Sequence, residues 1–174
     1  DVLRFESWFE RWRPTLTAGK RSEESGPGGG ILLDLGSHLV DQAMHLFGPV
    51  LDVHGEVAAR RGGAEDDVFC SLEHESGVRS HLSATVLAGA PGPRMRVLGM
   101  RGAYVVEPLD GQEAMLRAGR GPEDPRYGVE PQERWGRLRR GDEVEPVRSE
   151  RGRWDLFYAG VVSALNTGTL MPVD

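Results

Sequence analysis

Four side chains that can move protons or bind a metal recur at one-turn spacing within residues 28–48. They are Asp34, His38, Asp41 and His45, and the segment contains no Lys, Arg or Glu. At about 100° per residue these positions form one narrow stripe of a helix, and apolar residues occupy the other side. Ordinary solvated helix faces carry Lys, Glu and Arg, so this composition indicates a stripe suited to chemistry rather than to solvation alone.

Three interpretations of the stripe are open. In the first, His38 is a general acid and base, because an imidazole titrates near neutral pH and a carboxylate one turn away orients it. In the second, the stripe binds a divalent metal and supports a hydrolase, although the HExxH pattern is absent. In the third, Asp34 caps the helix N-terminus, and His38 and His45 are partly buried with hydrogen-bonded rings.

The glycines before the stripe do not form a nucleotide-binding loop. The segment GPGGGILLDLG lacks the GxGxxG spacing, because Ile31 stands where the third Gly would fall, and it also lacks GxxxxGK[ST]. We expect these glycines to let the backbone turn tightly into the element that carries Asp34.

The surrounding elements are recognisable from their periodicity. A strand is predicted at the beginning of the chain, then a polar loop, then a helix over residues 35–47 that ends at Gly48. Period-two segments follow as hairpins, with turns at residues 75–77, 101–102 and 141–142, and a short helix begins after Asp110. A last helix with an apolar stripe ends at Gly168. Strands that follow one another as hairpins, with helices before and after, favour an α+β fold: a mostly antiparallel sheet with helices on one face.

Composition excludes several classes of protein. The chain has 174 residues, 39% of them hydrophobic, and a formal net charge of −6, which argues against a large basic surface for nucleic acid. No apolar run is long enough to span a membrane, and no signal-peptide pattern is present. The single Cys excludes an internal disulfide, so we expect a cytoplasmic protein.

Several segments resemble the Gfo/Idh/MocA oxidoreductases. The sequence GGGILLDLGSHLVDQAMHLFG is similar to their signature G-G-G-x-L-x-D-x-G-x-H-x-x-D-x-x-x-x-L-x-G, and FESWFERWRP resembles E-S-R-F-D-R-W-R-P. DDVFCSLEHESGVRSHL and PRMRVLGMRGAYVVEPLDGQEAMLRAG resemble members near the NADP-dependent scyllo-inositol dehydrogenases, and FYAGVVSALNTGTLMPVD resembles the closing helix of the family. The similarity extends over nearly the whole chain.

The resemblance implies a C-terminal domain with a large open, mostly antiparallel mixed sheet. Residues 1–174 would form this single substrate-binding and oligomerisation domain, and the N-terminal Rossmann domain would be absent from the chain. NAD(P) would be bound mainly by that missing domain, and the full-length enzyme would act on a sugar, inositol or related polyol. The isolated chain is therefore expected to be inactive.

Residue roles follow from the same resemblance. Asp34 and His38 match the catalytic Asp-x-x-x-His pair of the family, with His38 taking the hydroxyl proton. Asp41 matches the second Asp of the signature and would orient His38 or bind substrate, whereas His45 lies outside the signature. Two positions depart from the family pattern: Trp8 replaces an Arg, which removes a basic group near the expected site, and Gly111 replaces a Pro.

Two further expectations concern binding. Arg11 and Arg13 precede the polar loop and could donate hydrogen bonds to polyol oxygens. A second copy of the chain should cover the open sheet face, since alternate apolar residues such as Val68, Cys70 and Leu72 leave surface to bury. The rival to the enzyme is a non-catalytic dimerising or sugar-sensing module with the same fold.

Overall fold

The computed structural model describes residues 1–20, 23–107 and 110–173. The chain divides into two compact units. The first unit comprises residues 1–107 and 137–145, and the second comprises residues 108–136 and 146–174. Among the described residues, no helix has both the length and the apolar character that a bilayer crossing requires.

An eight-stranded sheet dominates the structure. Its strands are β1 (Val2–Glu10), β2 (Val50–Ala58), β3 (Asp67–His74), β4 (Arg79–Thr85), β5 (Met95–Gly99), β6 (Gly102–Val106), β7 (Gly136–Arg140) and β8 (Glu143–Val147). The spatial order is β2-β3-β4-β1-β5-β6-β7-β8. β1 pairs in parallel with β4, and the register joins Ser7 to Leu82. β2–β3, β3–β4, β1–β5, β5–β6 and β6–β7 are antiparallel, so the predicted mostly antiparallel mixed sheet is confirmed.

The helix of the sequence stripe begins earlier than predicted. Residues Leu32–Gly36 form one π-helical turn, and α1 (Ser37–Phe47) continues directly from it to Gly48. The Ser37 N–H donates to the Leu32 carbonyl across five residues, which defines the wider turn. The predicted start at residue 35 is therefore wrong by three positions, because a glycine-rich entry carries no capping side chain to mark it.

The core of the first unit lies between α1 and one face of the sheet. Leu39 and Ala43 of α1 are almost completely buried with Phe5 of β1 and Leu82 of β4. These side chains meet because the apolar stripe of the helix has a period of 3.6 residues and the strands alternate with period two. This packing fixes the height and rotation of the helix above β1.

The residues expected to face a second copy belong to this core instead. Val68 and Leu72 are 5% and 3% exposed within the α1-side cluster, and Cys70 packs against it. The expectation that they line the open face is therefore wrong: alternation shows that a strand has two faces but not which of them a helix covers. Burial also raises the pKa of the Cys70 thiol, which agrees with a packed strand residue rather than a nucleophile.

The second unit contains α2 (Gln112–Arg117), a 3₁₀ turn (Gln132–Arg134) and α3 (Asp155–Thr167). Gln112 is buried, and its side-chain oxygen accepts a 2.9 Å hydrogen bond from the Trp154 N–H. Tyr127 is 1% exposed and its carbonyl accepts a 2.8 Å hydrogen bond from Arg151 Nε. α3 ends at Gly168, as predicted, and this glycine has a left-handed backbone conformation.

We expect Gly128→Ala to destabilise the second unit by more than about 2 kcal/mol. Gly128 has φ +70°, and a Cβ there would lie 1.9 Å from the Gly152 carbonyl oxygen, whose N–H bonds the Gly128 carbonyl at 2.7 Å. Gly119 is the matched control, since its φ is +71° with no atom within 4 Å of a Cβ. The measurement is the rate of amide hydrogen–deuterium exchange in α2 and α3, compared between Gly128→Ala, Gly119→Ala and wild type. Equal losses would show that the close approach to Gly152 costs nothing beyond the backbone conformation.

Candidate functional site

Asp34 lies inside the π-helical turn and its side chain is exposed. Its N–H donates to the Gly30 carbonyl at 3.2 Å, and no side-chain capping bond is made at the start of either helical segment. The capping interpretation of Asp34 is therefore wrong. π-helical turns inside helices are often found at functional sites, and here the turn carries the acidic member of the stripe.

His38 lies in the first turn of α1, one turn after Asp34, with its side chain exposed. Its ring meets Phe9 of β1 edge-on, with 6.1 Å between the ring centres and 63° between the planes. Asp41 and His45 are exposed as well, so the whole stripe is open to solvent rather than partly buried. This exposure contradicts the structural interpretation of the histidines and leaves both chemical interpretations to compare.

The donor set does not favour a metal. Within residues 1–20, 23–107 and 110–173, no three His, Cys, Asp or Glu side chains converge in a group that could hold an ion. Asp34 and His38 are both exposed, one turn apart along the same helical segment.

A polar network connects α1 to the sheet beside His38. Gln42, one turn after His38, accepts a 3.0 Å hydrogen bond from the Ser7 hydroxyl and contacts Met95 Sδ at 4.0 Å. Arg94 donates from Nη1 to the Ser7 oxygen, and its guanidinium carbon lies 4.1 Å from the centre of the Phe9 ring. The Phe9 ring therefore contacts both the His38 imidazole and the Arg94 guanidinium.

Trp8, which stands where the family pattern has an Arg, lies on the face of β1 opposite to His38. Ser7 bonds to α1 and Phe9 contacts His38, so both side chains point to the helix side of β1. Trp8 lies between them in the strand and therefore points to the opposite face. The expectation that Trp8, by standing where the family has an Arg, removes a positive charge beside His38 is therefore wrong. Arg94 supplies a guanidinium on the helix side.

Arg11 and Arg13 lie just after β1, with half-buried side chains. Their N–H groups donate to the Thr85 and Val86 carbonyls at 2.9 and 2.7 Å, which extends the contact with β4. No described contact joins either guanidinium to Asp34 or His38, so the structure fixes the backbone of these residues without bringing their side chains into the pair.

A buried ion cluster anchors the segment that contains Arg13. Arg61 donates from Nε to Asp66 at 2.9 Å and from Nη1 to the Arg13 carbonyl at 2.9 Å, and Nη1 lies 3.6 Å from Glu23. The three ionic side chains are between 1% and 6% exposed. We name Glu23, Arg61 and Asp66 the Arg61 cluster. It ties the loop before the glycine run to the β2–β3 connection.

Hydrogen bonds set the ionisation of the cluster. The Thr17 N–H lowers the pKa of Glu23, and Lys20 and Arg61 lower it further against the effect of burial. Burial alone would raise the pKa of Asp66, but the N–H groups of Arg60 and Arg61 and the Arg61 guanidinium outweigh it, so the net direction is downward. Both carboxylates are thus stabilised in the charged form.

Sequence reasoning missed Gln42 and Arg94. Gln42 follows His38 by four positions and so lies on a neighbouring face of the same helix, a signal that spacing alone could have supplied. Arg94 precedes a short strand far from the stripe in sequence, and only the β1–β5 pairing brings it to Ser7 and Phe9.

Comparison with known proteins places this geometry in a family. The sequence matches the GFO/IDH/MocA C-terminal domain family over residues 1–105. It is 34% identical over 178 aligned residues to the scyllo-inositol 2-dehydrogenase (NADP(+)) IolW of Bacillus subtilis, covering 99% of this chain and 49% of that protein. It is 36% identical to the uncharacterized oxidoreductase YdgJ of Escherichia coli, covering 99% of this chain and 51% of that protein.

Solved structures agree with the sequence comparison. The putative oxidoreductase YvaA of Bacillus subtilis superposes with a TM-score of 0.87 at 33% identity, over 99% of this chain and 51% of that one. A putative oxidoreductase of Yersinia pestis, YPO2259, superposes with a TM-score of 0.83 at 32% identity, over 99% of this chain and 49% of that one. The chain therefore spans about half the length of the curated relatives that it matches. The family match, the sequence relatives and the superposed structures together show that this chain belongs to the GFO/IDH/MocA family and corresponds to its C-terminal domain.

Proposed function

We propose that the full-length protein is an NAD(P)-dependent oxidoreductase that acts on a hydroxyl of a sugar, inositol or related polyol. This chain would be its substrate-binding half. The observation that carries the proposal is the pair Asp34 and His38, exposed one turn apart on a helical segment that core packing holds over β1.

His38 is proposed to accept the proton of the substrate hydroxyl, because an exposed imidazole is free to exchange protons in both directions of the reaction. Asp34 would accept hydrogen bonds from substrate hydroxyls and favour the protonated imidazole that forms. Asp41, one position short of a full turn after His38, would bind a further hydroxyl or orient the ring, and Arg11 and Arg13 would donate to polyol oxygens. All five residues are named for this role by their types and their places in the family pattern.

The described residues do not fit a dinucleotide site. Such a site needs consecutive parallel strands joined by a helix with a Gly-rich turn. Among the described strand pairs, the parallel one is β1–β4, with β2 and β3 between them in the chain. The glycine run before Asp34 leads into a π-helical turn instead. We therefore propose that NAD(P), which accepts the hydride in enzymes of this type, is held by an N-terminal Rossmann domain outside this chain.

The open sheet face is proposed as the contact between copies. Alternation places on this face a charged group and an aromatic pair. Glu6 is buried and pairs with Arg4 at 2.9 Å and with Arg96, and the rings of Phe69 and His81 lie 5.8 Å apart. Aromatic residues and arginines are enriched at protein interfaces, and this face carries both.

The name of IolW supports the substrate class. That relative is named a scyllo-inositol 2-dehydrogenase (NADP(+)), and a cyclic polyol presents several hydroxyls that can donate hydrogen bonds to the carboxylates of the stripe. The test is turnover by the full-length protein with NAD⁺ and NADP⁺ against cyclitols, hexoses, hexitols, sugar acids and sugar phosphates. Reduction of cofactor with at least one of these polyols is expected. If calorimetry detects polyol binding but no polyol is turned over, the non-catalytic sugar-sensing module is favoured over the enzyme.

A further inference from the structure

Arg94 is held in one position beside the acid–imidazole pair. Its carbonyl accepts the Trp8 N–H at 3.0 Å, and its own N–H donates to the Glu107 carbonyl at 3.1 Å. The guanidinium stacks over Phe9 and donates from Nη1 to the Ser7 oxygen. Backbone and side chain are therefore both fixed before any ligand arrives, which is the condition for a selective binding group.

The charge of Arg94 lacks a counter-ion in the described parts of the chain. Its described polar partner is a neutral hydroxyl, whereas Arg61 and the neighbouring Arg96 each pair with a carboxylate. Burial lowers the pKa of Arg94 and no nearby charge contributes to that shift. Keeping a half-buried cation without an anion is costly, and an arriving anion would remove that cost.

The free edge of the guanidinium suits an oxyanion. Because Nη1 is engaged by Ser7, Nε and Nη2 remain as two parallel donors, the geometry that binds a carboxylate or phosphate through two hydrogen bonds. Stacking on Phe9 keeps the plane of the guanidinium fixed while this edge is used.

The distance to His38 fits a substrate of sugar size. Phe9 touches both groups, 4.1 Å from the Arg94 guanidinium carbon and 6.1 Å from the centre of the His38 ring. The sum of these distances is the largest possible separation between cation and imidazole. One sugar-sized substrate can therefore reach both groups at once, with a hydrogen bond of about 3 Å to each.

We propose that Arg94 is a specificity-determining residue that binds an anionic substituent of the substrate while His38 handles the proton of its reacting hydroxyl. The inference rests on the proposed oxidoreductase function and narrows its substrate class to polyols that carry a carboxylate or a phosphate, such as sugar acids or sugar phosphates. The chemistry shared by the two groups is a pair of oxyanion acceptors in one plane.

The experiment compares full-length wild type, Arg94→Gln and Arg94→Lys on neutral hexoses and cyclitols, on aldonates and uronates, and on hexose phosphates. With the preferred anionic class, we expect Arg94→Gln to lower kcat/KM by about 10- to 100-fold, mostly through KM, because a charge-assisted bidentate contact is lost. Arg94→Lys should retain part of the preference as a point charge. The kcat/KM for neutral polyols should change by less than about threefold.

Arg117→Gln, which alters an exposed arginine of α2, is the matched control and should behave as wild type. Whichever anionic class shows the loss identifies the carboxylate or the phosphate.

Two results would overturn the proposal and leave the oxidoreductase standing. One is an equal loss for neutral and anionic substrates in Arg94→Gln, which would make Arg94 a support for Phe9 and Ser7 only. The other is turnover of neutral polyols alone, unchanged in the variant. Absence of turnover with every polyol and both cofactors would instead refute the proposed function, and the inference about Arg94 with it.

Discussion

Replacing His38 with alanine should lower kcat of the full-length protein by about 10²- to 10⁴-fold, the range that general acid–base groups contribute. The imidazole is exposed, and its described contact is an edge-on meeting with Phe9. Its removal therefore deletes a proton acceptor without opening a cavity in the core, where Leu39 and Ala43 hold the helix. The measurement is cofactor reduction under saturating polyol, with the unfolding temperature of the variant compared with that of wild type.

His45→Ala is the matched control. His45 is exposed two turns after His38 on the same helix but lies outside the family signature, so its loss should change kcat by less than about threefold. Equal losses in the two variants, or an unchanged rate in His38→Ala, would remove this residue from the mechanism.

Much of the fold could be predicted because its signals are local. The hairpin turn at residues 75–77 and the stop at Gly168 depend on residues that specify a turn or a left-handed backbone. Alternation within β3 and β4 is a property of each strand by itself. The one-turn spacing from Asp34 to His45 is also a local signal, so the sequence alone predicts the candidate pair Asp34 and His38.

The remaining features depend on contacts between distant segments. The π-helical turn at Leu32–Gly36 has no capping side chain at its start, so the sequence pattern predicts a helix that begins too late. The burial of Val68 and Leu72 depends on which sheet face α1 covers, and the site of Arg94 depends on the β1–β5 register. Neither choice is encoded in the period of a single segment, so binary patterning alone left both open.

Arg61→Met should lower the free energy of unfolding of the first unit by about 3–5 kcal/mol, because it leaves two buried carboxylates without their shared cation. Asp66 and Glu23 are 1% and 3% exposed and cannot regain water without opening the loop. The loss should appear as faster amide exchange in residues 13–20 and 60–66, since Arg61 also donates to the Arg13 and Thr15 carbonyls. Arg79→Met is the matched control: its pair with Glu73 is exposed at 3.6 Å and should contribute at most about 1 kcal/mol.

The dependence on pH separates an ionic role of the Arg61 cluster from simple packing. The fold lowers the pKa of Glu23 and of Asp66 below their ordinary values of 4.5 and 3.8. A lowered pKa means that the unfolded state binds protons first on acidification, so this stabilisation is complete at neutral pH and is lost as the pH falls below those values. Wild type should therefore lose stability as the pH falls below about 5. Arg61→Met should lose less over the same range, because one of the groups that lower the pKa of each carboxylate is removed, while the Thr17 and Arg60 N–H groups remain. Parallel stability curves for the two proteins would show that Arg61 does not act through the two carboxylates, which would leave its packing and its hydrogen bonds to the Arg13 and Thr15 carbonyls as the source of its effect.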